Sequence, residues 1–567
     1  MQVRRMSTNL NKFSRVITQP KKNGAAQSML YALGLTKEDM NKPQIGIGTV
    51  WFEGNPCNSK LDGLARQVSN SLGQKNLLPL IFNTIGVSDG MSMGTTGMRY
   101  SLPSRELITD SMESIVRGQH YDGLICIPGC DKNLPASAMA LARLNRPGFI
   151  IYGGSMKPSN YNINGENKKL DIVSSFESYG QFIKGDITDK ERQIIVENSC
   201  HMDCGACSGF YTANTMACLL EVMGLMLPNG SSNMSASSEK KVELINSGQT
   251  IMNLLEKDIK PLDIMTRESF LNAVKFLTLI GGSTNGVIHL LAIAKTAGVK
   301  LTVDDFKEFE HLPVLTNMKP HGTNVMDDLN RIGGTSILIK YLIDYGILDG
   351  NCLTITGKTL RENTNSYRNI DFASGVIFPF ERPFKQSSHI NILSGNMAPQ
   401  GSVSKIYSEN KYFSGKAIVF NTEEEMLSAL EAGKITIDNF VVLRYQGESI
   451  GCPEMLTPTS ALVGYFNVYG LSNEIPPFAT DGRFSGGSSG VLVAHLPDAY
   501  KEGSVTALIE NGDIISIDLN ENRINLNVSD VELENRKKNL VKPILQLDGY
   551  LEKFRKLVSD LESGYLT

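Results

Sequence analysis

The stretch Tyr121–Arg143, YDGLICIPGCDKNLPASAMALAR, predicts a short strand, a tight loop and a helix. The apolar run Gly123–Ile127 has the length of a buried strand. Asn133 is placed to cap the helix, and Pro135 suits its first turn. The loop between strand and helix carries a thiol, a carboxylate and an amine on adjacent residues, namely Cys130, Asp131 and Lys132. Loops at the carboxyl ends of parallel strands are where open α/β sheets bind ligands.

A soft and a hard donor side by side suggest two different metals close together. The alternative is an ordinary capped turn with a half-buried cysteine and a solvated Asp–Lys pair. Two earlier strands favour the metal site because their loops carry the same kinds of donor. A strand over Ile45–Val50 leads into a loop with Cys57 and then a helix over Leu61–Leu72, and a strand over Leu78–Asn83 leads into a loop with Asp89.

A cysteine-rich segment, NSCHMDCGACSG, places Cys200, Cys204 and Cys207 in the pattern C-x3-C-x2-C. Radical S-adenosylmethionine enzymes hold a four-iron cluster with this spacing, but their motif opens a barrel after its first strand. A structural alternative is a pair of buried thiols at a helix start. An amphipathic helix is predicted from about Ala213, and a helix N-terminus favours thiolate ligation, most of all at Cys207.

Other cysteines and a histidine fit structural roles better. Cys126, Cys218 and Cys352 lie in apolar contexts and are expected in the core. Cys452 adjoins a candidate site loop and has no assigned role. His289, on a helix after the GGSTN turn, is expected to pack rather than bind a metal.

The composition describes a globular enzyme: 41% of the 567 residues are hydrophobic and 20% are charged. The net charge of −4 and the lack of a basic run argue against a nucleic-acid partner. The sequence contains no apolar run of about 18 residues, so it predicts no membrane span. Nine cysteines without a secretory leader indicate reduced thiols or cluster ligands.

Two domains are predicted, giving an α/β fold class. Residues 1–368 form a large domain with a parallel sheet flanked by helices, one of them over Arg105–Arg117. Residues 369–567 form a mainly-β, barrel-like domain that ends in a helix over Lys542–Ser563, because short β-rich runs recur between turns. Two loops of this domain carry candidate site residues, Glu454 in GCPEMLTPTSAL and both Arg483 and Ser485 in ATDGRFSGGSSG.

Six stretches together resemble the family of dihydroxy-acid, sugar-acid and phosphogluconate dehydratases: NTIGVSDGMSMGTTGMRYSLPSRE, IPGCDKN, CGACSGFYTANTM, GGSTN, PEMLTPTSAL and TDGRFSGG. The resemblance runs from about Leu10 to the last helix. It implies that a 2Fe-2S cluster is bound by Cys57, Cys130 and Cys207. It implies that Mg²⁺ is bound by Asp89, Asp131, Glu454 and a carbamylated Lys132.

The resemblance also implies a reaction. The cluster iron would act as a Lewis acid on the 3-hydroxyl of the substrate, and Mg²⁺ would hold its carboxylate and 2-hydroxyl. Ser485, as an alkoxide, would remove the C2 proton, and Ser485 and Arg483 would contact the substrate. The substrates implied are 2,3-dihydroxyisovalerate and 2,3-dihydroxy-3-methylvalerate, which become 2-oxo acids in valine and isoleucine biosynthesis.

A homodimer and a cytoplasmic location are further expectations. Residues 1–36 are basic and acid-free, as in a transit peptide, but only a few of them precede the start of the resemblance. The alternatives are a sugar-acid dehydratase, a non-catalytic cluster sensor and a radical enzyme. The stretch GMRYSLPSRE favours branched-chain substrates over sugar acids.

The sequence departs from the family pattern at several positions near the site, which puts substrate range and activity in question. Ser208 and Phe210 replace the usual Gly and Met, and Ser489 replaces a usual His. The segment Gly447–Pro453 is shorter than the pattern, and the segment Tyr465–Pro477 is longer. Cys200 and Cys204 would be spectators, although Cys204 could tune the cluster.

Overall fold

A computed structural model of the chain describes residues 10–163, 165–468 and 475–567. It shows a parallel sheet flanked by helices in the N-terminal part and a closed eight-stranded barrel in the C-terminal part, which confirms the predicted fold class. The basic residues Arg4 and Arg5 lie outside the described residues, as do residues 469–474 of the segment that ends at Pro477. The domain boundary at residue 368 stays a prediction.

The strands are β1 (Gln44–Thr49), β2 (Leu78–Asn83), β3 (Gly123–Ile127), β4 (Gly148–Ile150), β5 (Ser159–Ile163), β6 (Glu166–Leu170), β7 (Ile390–Gly395), β8 (Ala398–Ile406), β9 (Tyr412–Phe420), β10 (Asn439–Leu443), β11 (Phe478–Thr480), β12 (Val491–Ala494), β13 (Ile514–Asp518) and β14 (Arg523–Leu526).

The first helices are α1 (Arg15–Thr18), α2 (Gly24–Ala32), α3 (Leu61–Gly73), α4 (Asp89–Ser92), α5 (Ser101–Gly118), α6 (Asn133–Leu144), α7 (Ile172–Lys184), α8 (Asp189–Asn198), α9 (Thr212–Val222) and α10 (Ser238–Lys257). The later ones are α11 (Pro261–Ile264), α12 (Arg267–Leu279), α13 (Asn285–Ala297), α14 (Val303–Lys307), α15 (Met326–Arg331), α16 (Thr335–Asp344), α17 (Leu360–Thr364), α18 (Glu423–Glu431), α19 (Leu456–Phe466), α20 (Asp530–Asn539) and α21 (Gly549–Leu557).

The N-terminal sheet has the strand order β2-β1-β3-β4, and all its pairings are parallel. Every residue of β1 and β3 is buried, as expected for parallel strands covered on both faces. The predicted bounds of β2 and β3 are confirmed, and β1 begins and ends one residue before its predicted bounds. Because β1, β2 and β3 are neighbours and parallel, the loops after them meet at one edge of the sheet.

Three helix predictions are wrong in detail. The helix predicted from Arg105 begins at Ser101, since Pro103 is tolerated in a first turn. The helix predicted as amphipathic, α9, is buried along its whole length because it packs among α6, α12 and α13. The C-terminal helix begins at Gly549 rather than Lys542 and ends at Leu557, after a non-helical stretch containing Pro543.

The barrel closes in the order β10-β11-β12-β8-β7-β14-β13-β9 around an apolar core. Its neighbouring strands β10, β11 and β12 are parallel, so the segments after β10 and β11 leave the same end of the barrel. These segments contain Glu454 and Ser485. Among the helices in the described part of the chain, none has the length and apolarity to cross a bilayer.

Candidate active site

Three cysteines from three separate loops come together beside the sheet; we call Cys57, Cys130 and Cys207 the thiol group. The thiol of Cys57 lies within hydrogen-bonding reach of the other two. Hydrogen bonds to Cys130 and Cys207, together with burial, raise the pKa of Cys57 well above its ordinary value. Three sulfur donors at one point suit a soft metal or an iron–sulfur cluster, whose binding displaces thiol protons.

Asparagine side chains shape the loops that present these thiols. Asn55 Oδ1 accepts from the Cys57 N–H at 3.0 Å, and Asn133 Oδ1 accepts from the Cys130 N–H at 2.7 Å. The prediction that Asn133 caps the helix is therefore wrong, because its side chain turns back to the loop and α6 begins at Asn133 itself. The loops cross so closely that a Cβ on Gly129 would lie 2.4 Å from the Cys57 carbonyl oxygen.

The remaining cysteines lie apart from the thiol group. Cys200 lines the adjacent pocket, and burial, assisted by Cys207, raises its pKa to about 12. Cys204 has a left-handed backbone and donates to the Met202 carbonyl at 3.5 Å. Cys207 thus lies beside thiols from two other loops. This arrangement favours the ligands that the family resemblance implies over a cluster held by the C-x3-C-x2-C motif. The core positions predicted for the other cysteines are confirmed for Cys126, Cys218 and Cys352, and Cys452 is also buried.

Three acidic side chains form a second cluster, the carboxylate group, which consists of Asp89, Asp131 and Glu454. One oxygen of each lies within 4.8 Å of the others. Asp89 begins α4, Asp131 follows β3, and Glu454 comes from the C-terminal part of the chain. Such a cluster of oxygen donors suits a hard divalent cation.

Glu454 is fully buried and held by cations. Its Oε1 accepts from Lys132 Nζ at 2.8 Å and from Arg483. Burial opposes ionisation, but Lys132 and Arg483 outweigh it and lower the pKa of Glu454 to about 2. Its Oε2 is buried and has no hydrogen-bond partner at ordinary distance among the described residues, but the Ser485 hydroxyl is close enough to help lower the pKa of Glu454.

Lys132 also donates to Asp89 Oδ2 at 2.9 Å. Burial and Arg483 act against its charge, but Asp89, Glu454 and Asp131 raise its pKa overall. Burial and the charge of Asp89 raise the pKa of Asp131 to about 7. As an ammonium, Lys132 therefore neutralises the carboxylates that would hold a metal ion.

Arg483 lies behind Glu454, without solvent exposure. Its Nε donates to the Cys452 carbonyl at 2.6 Å, and its Nη1 donates to Asn285 Oδ1 at 3.1 Å as well as to Glu454. It is absent from the described lining of the pocket, so its contact with substrate stays a prediction. His289 is fully buried beside Arg105, and burial lowers its pKa well below the usual range, as suits a packing role.

Ser485 lines a pocket of about 130 Å³ together with members of both groups. A hydrogen bond from its side chain contributes to the lowered pKa of Glu454. The loop of Ser485 is closed by a hydrogen bond from the Ser488 N–H to the Ser485 carbonyl at 3.0 Å. A Cβ on Gly486 would lie 2.6 Å from the Thr212 nitrogen, so glycine is needed for this close approach. Part of the pocket lining is polar, and the rest, which we call the apolar wall, includes Met91, Ile172, Val173, Phe176 and Leu456.

The sequence analysis missed uncharged polar residues that position the carboxylates. Asn285 Nδ2 donates to Glu454 Oε1 at 2.8 Å, and Ser101 Oγ donates to Asp89 Oδ1 at 2.8 Å. Both residues lie in stretches that carry the family resemblance, GGSTN and GMRYSLPSRE. Their place in these stretches was the signal in the sequence that could have identified them. An amide or a hydroxyl side chain does not by itself indicate a functional site.

The positions that the sequence analysis marked as departures from the family pattern, namely Ser208, Phe210, Ser489 and the segment before Glu454, are absent from the described lining of this pocket. Ser208 and Phe210 are buried next to the loop of Cys207, and Ser489 hydrogen-bonds to His321 Nδ1 at 3.1 Å. In the shortened segment before Glu454, Gly451 has a φ of 93°, and a Cβ there would lie 2.0 Å from the Arg99 carbonyl oxygen. This segment is thus packed directly onto the turn that precedes α5.

Comparisons with known proteins agree with the site. Residues 42–363 match the family model described as dihydroxy-acid/6-phosphogluconate dehydratase N-terminal, and residues 375–565 match its C-terminal counterpart. The chain is 49% identical to a dihydroxy-acid dehydratase of Francisella tularensis subsp. novicida, over 99% of this chain and 100% of that protein.

Eukaryotic relatives are nearly as similar. A chloroplastic dihydroxy-acid dehydratase of Arabidopsis thaliana is 45% identical over 99% of this chain and 92% of its own. The mitochondrial dihydroxy-acid dehydratase astD of Aspergillus terreus is 46% identical over 98% of this chain and 93% of its own. The fold and the site define a hydro-lyase built from a parallel-sheet part and a barrel. The chain belongs to the dihydroxy-acid/6-phosphogluconate dehydratase family.

Proposed function

We propose that the protein dehydrates 2,3-dihydroxy-3-methyl acids, namely 2,3-dihydroxyisovalerate and 2,3-dihydroxy-3-methylvalerate, to 2-oxo acids for valine and isoleucine biosynthesis. The observation that carries this proposal is the shared pocket, which is lined by members of the thiol and carboxylate groups and by Ser485. Soft donors, hard donors and a candidate base thus face one small volume. The dihydroxy-acid dehydratases to which the chain is similar support the same assignment.

The apolar wall favours branched-chain substrates over sugar acids. Ile172, Val173 and Phe176 offer no polar side-chain atom to a ligand. A methyl or ethyl substituent gains from contact with such a wall, at about 0.8 kcal/mol for each buried CH₂ group. A sugar acid would place hydroxyls there without partners, which costs about 1–3 kcal/mol each.

The donors fit two metal centres. The 2Fe-2S cluster would be held by Cys57, Cys130 and Cys207. Mg²⁺ would be held by Asp89, Asp131, Glu454 and the carbamate of Lys132. When bound, the cluster supplies a Lewis acid for the departing 3-hydroxyl, and Mg²⁺ supplies charge for the substrate carboxylate and 2-hydroxyl. Carbamylation would turn Lys132 from a competing cation into an anionic oxygen ligand, which fits its place between Asp89 and Glu454.

Residues of the chain itself would transfer the C2 proton of the substrate. Ser485 takes the proton from C2, and the C2–H electron pair forms the C2–C3 double bond as the 3-hydroxyl leaves and becomes water. The Gly487 N–H, 3.5 Å from Ser485 Oγ, faces the oxygen that carries the charge. The proton that Ser485 removes from C2 passes to the departing hydroxide, which completes the water and returns Ser485 to its alkoxide. The resulting enol tautomerises to the 2-oxo acid, so the reaction involves no net oxidation.

An anaerobic assay of 2,3-dihydroxyisovalerate turnover with Mg²⁺ tests this proposal on wild type and Ser485→Ala. We expect formation of the 2-oxo acid by wild type and its loss in Ser485→Ala, with unchanged cluster absorbance. Ser404→Ala is a matched control, because Ser404 is a buried barrel serine that bonds only to the Asn391 carbonyl in the described contacts.

Other outcomes would redirect the assignment. Turnover of sugar acids alone by the cluster-loaded protein would point to the other branch of the family, and no turnover of either substrate class would point to a cluster sensor. Turnover that survives in Ser485→Ala would remove Ser485 as the base. The homodimer, the cytoplasmic location and the absence of nucleic-acid and membrane partners stay expectations from the sequence.

A further inference from the structure

A buried lysine lies beneath the loop that carries Ser485. Lys405 is on β8 and has 1% of its surface exposed. Its Nζ donates to the Gly486 carbonyl at 2.9 Å and to the Ser488 carbonyl at 2.8 Å. One amine therefore joins the two carbonyls on either side of Gly487.

The first of these carbonyls belongs to the peptide group that faces the candidate base. The Gly486 C=O and the Gly487 N–H are the two ends of one peptide unit, and this N–H points at Ser485 Oγ from 3.5 Å. A cation at the oxygen end of a peptide polarises it and strengthens the donor at the nitrogen end. The contacts thus form a continuous chain from Lys405 Nζ through the peptide to the Ser485 oxygen.

Among the described residues, burial acts on the charge of Lys405 without an opposing carboxylate. In the described part of the chain, its Nζ donates hydrogen bonds to the two loop carbonyls. The titratable groups near it are His321 and His389, whose pKa values burial lowers, with the charge of Lys405 adding to the effect. Burial also lowers the pKa of Lys405 itself to about 7.

We propose that Lys405 is a positioning residue for Ser485, which fixes the loop and stabilises the Ser485 alkoxide through the Gly486–Gly487 peptide. This inference rests on the proposed role of Ser485 as the base. Lys405 lies on a barrel strand, outside the six stretches that carry the family resemblance. The proposal gives it an effect on the proton-transfer step.

The test compares Lys405→Met and Lys405→Arg with a matched control, Lys385→Met. Lys385 is a second buried lysine, which precedes β7 and donates to the Ser387 and Ser388 carbonyls rather than to the Ser485 loop. Where Lys405→Met does not accumulate as folded protein, Lys405→Gln replaces it, because Gln keeps an N–H donor without the charge. Cluster absorbance and Mg²⁺ binding are measured for every variant.

We expect Lys405→Met to lower kcat by about 10- to 100-fold, with little change in KM, cluster content or Mg²⁺ affinity. The kcat of Lys385→Met should stay within about twofold of wild type. The kcat of Lys405→Arg should be much closer to wild type than that of Lys405→Met, because arginine keeps a charged donor for the two carbonyls.

The pH dependence separates an electrostatic role from a merely structural one. The folded pKa of Lys405 lies below its ordinary value of about 10.4, so its charge is present at lower pH and is lost as the pH rises through about 7. The ratio of wild-type to Lys405→Met kcat should therefore be largest below pH 7 and shrink above it. An unchanged kcat, a ratio independent of pH, or a kcat loss that only follows cluster loss would overturn the proposal.

Hydrogen exchange of the Ser485 loop is a readout that does not need turnover. We expect faster exchange of the Gly487 amide in Lys405→Met and wild-type exchange in Lys385→Met. If wild type fails to convert the substrate while this difference is present, the proposed function is wrong and the positioning by Lys405 stands. Equal exchange in all variants would reject the positioning whatever the substrate.

Discussion

The thiol group and the carboxylate group lie beside one pocket, yet they are stabilised in opposite ways. The thiols come from loops of the N-terminal part, and hydrogen bonds to the other two thiols raise the pKa of Cys57 well above its ordinary value. The carboxylates combine both parts of the chain, and the pKa of Glu454 is lowered to about 2 because Lys132 and Arg483 accompany it into the interior. One group is thus held by loop geometry and the other by charge, and removing a member should have different consequences.

The largest effect on stability is expected from Glu454→Ala. This change leaves Lys132 and Arg483 buried without their shared partner, which costs about 3–5 kcal/mol in the free energy of unfolding of the metal-free protein. Urea unfolding measures it. Glu448→Ala is the control in the same segment, because its partner Lys501 is half exposed and the pair contributes about 0–1 kcal/mol. Equal losses in both variants would show that charge does not hold the carboxylate group.

Cys130→Ser should leave the metal-free protein nearly as stable as wild type, within about 1 kcal/mol, since a hydroxyl of similar shape replaces the thiol. Cluster absorbance and iron content should fall to background while Mg²⁺ binding remains. Cys126→Ser, at a buried strand thiol outside the group, should keep the cluster. A Cys130→Ser protein that still assembles the cluster would remove Cys130 from the ligand set.

Activity should depend on carbon dioxide through Lys132. Removing dissolved CO₂ should lower both the Mg²⁺ affinity and the rate, and added bicarbonate should restore them, because a carbamate forms reversibly on the uncharged amine. Lys132→Arg should be insensitive to bicarbonate. Full activity of a CO₂-depleted enzyme would show that Lys132 serves as an ammonium instead.

The smallest effects on metal binding are expected from the asparagines behind each group. Asn133→Ala should lower iron content with little change in Mg²⁺ affinity, because its side chain holds the Cys130 loop. Asn285→Ala should do the reverse, because its side chain donates to Glu454. Each should cost about 1–2 kcal/mol in stability. Paired iron and magnesium titrations of both variants measure the contrast, and a uniform loss of both metals would show that the groups are coupled.

Local sequence patterns predicted the members of both groups that follow strands of the parallel sheet, but not the contacts that join them to the C-terminal part. Strand ends before Cys57, Asp89 and Cys130 are local patterns, and parallel neighbours bring such loops together without knowledge of distant residues. The contact of Lys132 with Glu454 joins positions 322 residues apart, and no local pattern encodes it. The same holds for α9, whose outer face is covered by other helices, and for Lys405, which reads from the sequence as an ordinary strand lysine.

The separation of the two groups along the chain also sets an order in time. A ribosome adds roughly 5–20 residues each second, and roughly 250 residues separate Cys207 from Glu454. The thiols therefore emerge about 10–50 seconds before the acid that completes the opposite side of the pocket. During that interval, a nascent chain can offer sulfur ligands to an iron–sulfur donor while the magnesium site does not yet exist.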